Sequence, residues 1–99
     1  DVVQLTNEEM VLKFMHRHQI PLRRMEVYGG LIQEDILTFS YSTVGNKLDD
    51  LADRGDVKKV AINKDQEVIE DIPKDESTDR RGYFLITDQG RERASTLPE

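Results

Sequence analysis

Ninety-nine residues give room for one modest hydrophobic core, and residues 1–99 read as a single domain. Hydrophobic residues make up 36 % of the chain and charged ones 34 %, with no cysteine. This excludes a disulfide framework and thiolate metal sites, and no apolar run nears the ~20 residues that span a bilayer. The net charge of −6 excludes a uniformly basic nucleic-acid binder. Any DNA contact must rest on positive charge gathered on one face, or on work in molar salt, where the Debye length is about 3 Å. Six lysines against eight arginines in an acidic chain suit a halophilic source. No secretory pattern opens the chain, so the expected location is cytoplasmic.

The first helix is predicted over residues 7–18. Thr6 and Glu9 have the Thr-x-x-Glu spacing of a capping box, with Leu5 and Met10 at the staple positions around it. Val11, Phe14 and Met15 follow at i, i+3 and i+4 as one apolar stripe. Pro21 ends this helix near Gln19 and suits the first turn of the next. In the second helix Leu22, Met25 and Tyr28 are spaced for one face, and Leu31, Ile32 and Ile36 can continue it. Gly29-Gly30 interrupts that run at about 1 kcal/mol per glycine, and reads as a break or a close helix contact. No Gly-x-Gly-x-x-Gly or Gly-Lys-Ser/Thr supports a phosphate loop.

The third helix carries the most information. Ser40 is placed to cap it, Val44, Leu48 and Leu51 (i, i+4, i+7) to face inward, and Gly55 to end it in the left-handed conformation. Its outward face holds Tyr41, Ser42, Gly45, Asn46 and Asp49. A helix that serves only as scaffold usually carries long charged side chains outside. Hydroxyls, a glycine and an amide instead permit close approach and hydrogen bonds to base edges.

After Gly55 the period becomes alternating. Val57, Val60 and Ile62 read as one strand and Tyr83–Thr87 as a second. The polar stretch Asn63–Gly82 between them is long for a hairpin loop, although Val68, Ile69 and Ile72 allow the arms to extend into it. Thr87 caps a short closing helix from Asp88, and Leu97-Pro98-Glu99 is expected to fray.

This order, with "FSYSTVGNKLDDLADRGDVKKV" and "GYFLITDQGRERA", resembles winged helix-turn-helix transcriptional regulators. The two blocks cover about a third of the chain, the order of elements nearly all of it. Within that group "TFSYSTV" and the acidic composition look like the archaeal repressors similar to that of phage phi-H. The resemblance implies an α+β fold with a three-helix core, a two-stranded wing and a short C-terminal helix. It implies sequence-specific binding of double-stranded DNA as a transcriptional repressor, with a homodimer as the expected assembly. It places Tyr41, Ser42, Thr43, Asn46 and Lys47 at the DNA through the recognition helix, and Arg80 and Arg81 near the wing. The chain departs from the family pattern in having Gly45, Asn46 and Lys47 where arginines are common. It also has Asp49, Asp50 and Asp53 on the same helix, and Asp56 in place of an apolar residue.

Other signals read as structure. His16 and His18 are two apart on a helix and point to different faces, so no metal site is expected there. The Asp49, Asp50 and Asp53 group reads as a solvated face. Lys58-Lys59 and Arg80-Arg81 can form one basic cluster if their strands pair. No nucleophile, base and carboxylate arrangement stands out, so neither an enzyme nor a cofactor is expected. The alternative to DNA reading is a winged helix used as a protein-interaction module.

Overall fold

The computed structural model describes residues 5–36, 39–73 and 82–98. Among these are four helices and three strands: α1 (Asn7–Arg17), α2 (Arg24–Gln33), α3 (Tyr41–Arg54), β1 (Val57–Asn63), β2 (Val68–Asp71), β3 (Tyr83–Ile86) and α4 (Asp88–Ser95). The class is α+β. No described helix is long and apolar enough to cross a membrane.

The capping box at the start of α1 is formed. Thr6 Oγ1 accepts from the Glu9 amide at 3.2 Å, and the Thr6 amide donates to Glu9 Oε1 at 2.8 Å. Two free donors of the first turn are thereby satisfied. His18 lies just beyond the end of α1 as its C-cap.

The second helix differs from the prediction at its start and in its buried face. Pro21 does not enter it, because Leu22 is held extended by exchanging backbone hydrogen bonds with Phe84 (2.9 and 2.7 Å). The helical frame therefore begins at Arg24. Val27 and Leu31 are buried, whereas Met25 is 60 % exposed. The glycine pair does not break the helix, which runs through both. A Cβ on Gly30 would lie 2.3 Å from Phe14 Cζ, so this residue is a close helix–helix contact. One on Gly29 would meet nothing within 4 Å.

α3 follows the sequence closely. Ser40 Oγ accepts from the Thr43 amide at 3.3 Å, and Gly55 ends the helix at φ 87°. Val44, Leu48 and Leu51 are fully buried in one core with Val11, Phe14 and Met15 of α1. α3 packs against α1, α2 and β1.

The sheet is larger than the expected two strands. It is antiparallel and three-stranded in the order β2-β1-β3. β2 comes out of the polar stretch that read as loop: Asn63 Oδ1 accepts from the amides of Asp65 and Gln66, both at 3.1 Å. That side-chain turn reverses the chain within a few residues. Ile62 then pairs with Ile69 and Asn63 with Val68. On the other edge Val57 pairs with Ile86 and Lys59 with Phe84. Val57, Phe84 and Ile86 join the helical core, so alternation puts Val57 and Lys59 on the helix side and Lys58, Val60 and Ile62 on the other, where Val60 is nonetheless fully buried.

Thr87 caps α4 by accepting from the Gly90 amide at 3.1 Å, while its hydroxyl donates to Gly55 O at 2.6 Å. The tail is anchored rather than frayed at Leu97, which packs on the core, while Lys13 Nζ donates to Pro98 O at 2.6 Å. Asp56, flagged as an odd polar residue after Gly55, is 1 % exposed. Arg93 Nη1 donates to its Oδ2 at 2.5 Å and Gln89 Nε2 to its Oδ1 at 3.0 Å. Glu8 lies 3.0 Å from Arg93 and 3.1 Å from Arg54, so the cluster ties α1, α3 and α4 together. Burial works against the charge of Arg93, but its hydrogen bonds to Asp56 and Glu8 win and raise its pKa.

Candidate nucleic-acid interface

The predicted site residues on α3 separate into an open line and a flank. Tyr41, Ser42 and Asn46 are exposed near the helix N-terminus, the latter two one turn apart. Among the described residues no side chain is hydrogen-bonded to Asn46, whose amide can therefore donate and accept toward an outside partner. The Tyr41 ring stands edge-on to Tyr28 of α2 at 5.4 Å between centroids. Thr43 is half-buried, its hydroxyl 3.1 Å from that of Ser40. Lys47 turns away from the line toward Asp50 at 3.7 Å, and lines a cleft of about 480 Å³ with Glu8, Glu9, Arg54 and Arg93. Arg80 and Arg81 lie outside the described residues.

Gly45 is not on the outward face. It is buried because Arg24 of α2 lies across it; a Cβ there would sit 3.4 Å from Arg24 Cδ. The guanidinium passes on to Asp49, with Nη2 donating to Oδ1 at 3.0 Å and Oδ2 at 3.1 Å. Lys59 Nζ approaches the same Oδ1 at 3.9 Å. Both cations lie over the Phe84 ring, at 5.8 Å for Arg24 and 5.5 Å for Lys59. Arg23 sits over the Tyr83 ring at 4.7 Å and donates to its hydroxyl at 3.0 Å. Arg24 of α2 and Lys59 of β1 thus flank α3, while Arg23, just before α2, lies against β3. The sequence reading missed Arg23 and Arg24, although the adjacent arginines three and two residues before Glu26 marked a basic helix start.

The acidic residues of α3 are not a uniform solvated face. Asp49 is bridged by Arg24 and Lys59, and Asp50 faces Lys47; among the described residues Asp53 has no ion pair. The first two turns, Tyr41–Leu48, carry no acid at all. The cluster of Lys58-Lys59 with Arg80-Arg81 falls partly outside the described residues, and the two lysines themselves diverge. Their side chains leave opposite faces of β1, and Lys58 pairs with Asp71 at 3.0 Å.

No three His, Asp or Glu side chains among the described residues are grouped as metal ligands. His18 Nε2 is instead 2.7 Å from Glu34 Oε2, and Arg17 donates to Glu34 Oε1 at 2.6 Å. Burial pushes the Glu34 pKa up, but the hydrogen bonds and charges of His18 and Arg17 outweigh it and hold the carboxyl below its usual value.

The chain matches no protein-family model, no curated protein and no solved structure.

Proposed function

We propose that this protein is a winged helix-turn-helix domain that binds double-stranded DNA in a sequence-specific way and acts as a transcriptional repressor, as a homodimer. In this reading α2 and α3 are the helix-turn-helix pair, α3 is the recognition helix, and the β1–β2 hairpin with β3 is the wing. The observation that carries it is the acid-free, exposed start of α3. Ser42 and Asn46 project from one line there with Tyr41 at its end, and cations from α2 and β1 stand beside it. That arrangement suits base edges in the middle and phosphates at the side. The dimer follows from the two-fold operators such domains commonly read, with half-sites about one helical turn apart. Work at high ionic strength fits the net charge of −6.

The test is selection of bound fragments from a genomic DNA pool, repeated from about 0.1 M to about 1 M salt. Enrichment of one sequence motif supports the reading; equal recovery of all fragments at every salt overturns it.

A second reading, a protein-interaction module, is favoured by α2, where Met25 (60 %) and Ile32 (52 %) are exposed seven residues apart with the open Gly29 between them. Failure to retain any duplex would move that reading ahead.

A further inference from the structure

We infer that Asp49 is an internal stand-in for a DNA phosphate, so that Arg24 and Lys59 form a phosphodiester-binding pair closed by the protein's own carboxylate. The inference rests on the DNA-binding reading above and adds a site and a mechanism to it.

The geometry is that of an anion site. Cations from two separate elements converge on one carboxylate: Arg24 at the first residue of α2 and Lys59 in the middle of β1. Gly45 leaves the space in which the Arg24 stem lies flat on α3. The Phe84 ring backs both charges and limits the directions in which they can move. Asp49 uses only Nη2 of the guanidinium, so the fork is not saturated. A guanidinium offers five N–H donors in a plane suited to two oxygens at once, and phosphate fills that fork at least as well as carboxylate. Arg24 and Asp49 are 43 % and 44 % exposed, so exchange needs no unfolding. Asp49 also lies one turn along α3 from Gly45 and Asn46, where the backbone flanking a bound groove would run.

Such an exchange has a distinct ionic signature. Each phosphate contact normally releases condensed cations from DNA, and log K falls against log salt with a slope of about −0.9 per phosphate. Here the contact also uncovers Asp49, whose negative charge stays beside the phosphate and attracts cations back to the site. This contact therefore adds less salt dependence than an ordinary one. An acidic chain can then hold DNA where ordinary basic contacts weaken.

The test measures binding of wild type, Asp49→Asn, Asp53→Asn and Arg24→Gln/Asp49→Asn to a mixed-sequence duplex over a salt series. Thermal melts check that each variant is folded. Asp53→Asn removes the same charge from the same helix, away from the cation pair. Asp49→Asn should tighten binding roughly three- to tenfold near 0.1 M salt, and steepen the slope by up to about 0.9. Asp53→Asn should do clearly less, and Arg24→Gln should cancel the gain. Equal effects of Asp49→Asn and Asp53→Asn, no effect of Asp49→Asn, or a gain that survives Arg24→Gln would each overturn the inference while leaving DNA binding intact. Absence of duplex binding by wild type and every variant at all salts would overturn both.

Discussion

Asp56 is the position where removing a single carboxylate should be most costly. It is 1 % exposed and accepts from Arg93 at 2.5 Å and Gln89 at 3.0 Å, with Arg54 Nε at 3.7 Å. Asp56→Ala leaves Arg93 with Glu8 as its remaining acid, and leaves Gln89 with only its bond to Arg54 O. Breaking a buried pair by deleting one partner typically costs ~3–5 kcal/mol. Arg93 is 24 % exposed and keeps Glu8, which moves the expectation to about 2–3 kcal/mol. For a chain of this length each kcal/mol lowers the melting midpoint by about 4–8 °C, so the loss should be roughly 10–20 °C. Urea denaturation monitored by circular dichroism gives the free energy directly. The same reasoning expects Asp56→Leu/Arg93→Met to recover most of the loss, because a packed apolar pair avoids desolvating two charges. An Asp56→Ala variant with an unchanged midpoint would refute it. So would a double variant no more stable than the single one.

Leu48→Ala empties a fully buried position between α1 and α3 and should cost ~2–5 kcal/mol in the same denaturation experiment. The two adjacent glycines should respond with opposite signs. Gly29→Ala gains about 0.5–1 kcal/mol of helix propensity in open space, whereas Gly30→Ala drives a methyl into Phe14 and loses about 1–2 kcal/mol net, read as shifts in midpoint. Asn46→Ala should reduce preference for a selected operator over scrambled duplex by ~1–3 kcal/mol, while Arg81→Ala should weaken both alike, as competition titrations would show. Glu34 has a folded pKa below the ordinary 4.5, so its contribution to stability is present above that value and is lost as pH falls through the lower folded value. Glu34→Gln should therefore flatten the acid limb of stability against pH. An acid limb identical to wild type would show that the bridge to Arg17 and His18 adds nothing.

The elements legible in the sequence were those fixed by short-range chemistry. The Thr6–Glu9 box, the Ser40 and Thr87 caps, the left-handed Gly55 and the Val44, Leu48 and Leu51 stripe all depend on neighbours within a few residues. What escaped was set at long range. Leu22 is extended because Phe84 pairs with it, and this moves the start of α2 and the burial of Met25. β2 reads in the sequence only as an extension of the hairpin arms through Val68 and Ile69, because its four residues are all exposed and show no alternation; its turn depended on the side chain of Asn63. On the candidate interface, Tyr41, Ser42 and Asn46 could be placed from helical spacing alone. Gly45 could not, because its burial is caused by Arg24, twenty-one residues earlier.

That same long-range contact alters how the negative net charge should be read. A count of acids treats Asp49, Asp50, Asp53 and Asp56 as four equal repulsions on the side proposed to face DNA. The fold divides them by position. Asp56 is inside and matched by Arg93, where it ties α3 to α4 and its charge is largely offset. Asp50 lies against Lys47 and Asp49 against Arg24 and Lys59, so each offsets a cation within about 4 Å. Of the four, only Asp53 lacks a cation among the described residues, and it sits in the last turn of α3, away from Ser42 and Asn46. Repulsion from this helix should therefore be local to its C-terminal end. Under the proposed DNA-binding function, a duplex approaching the N-terminal half would meet hydroxyls, an amide and cations held in place by carboxylates, and its affinity would depend on how readily those carboxylates give way.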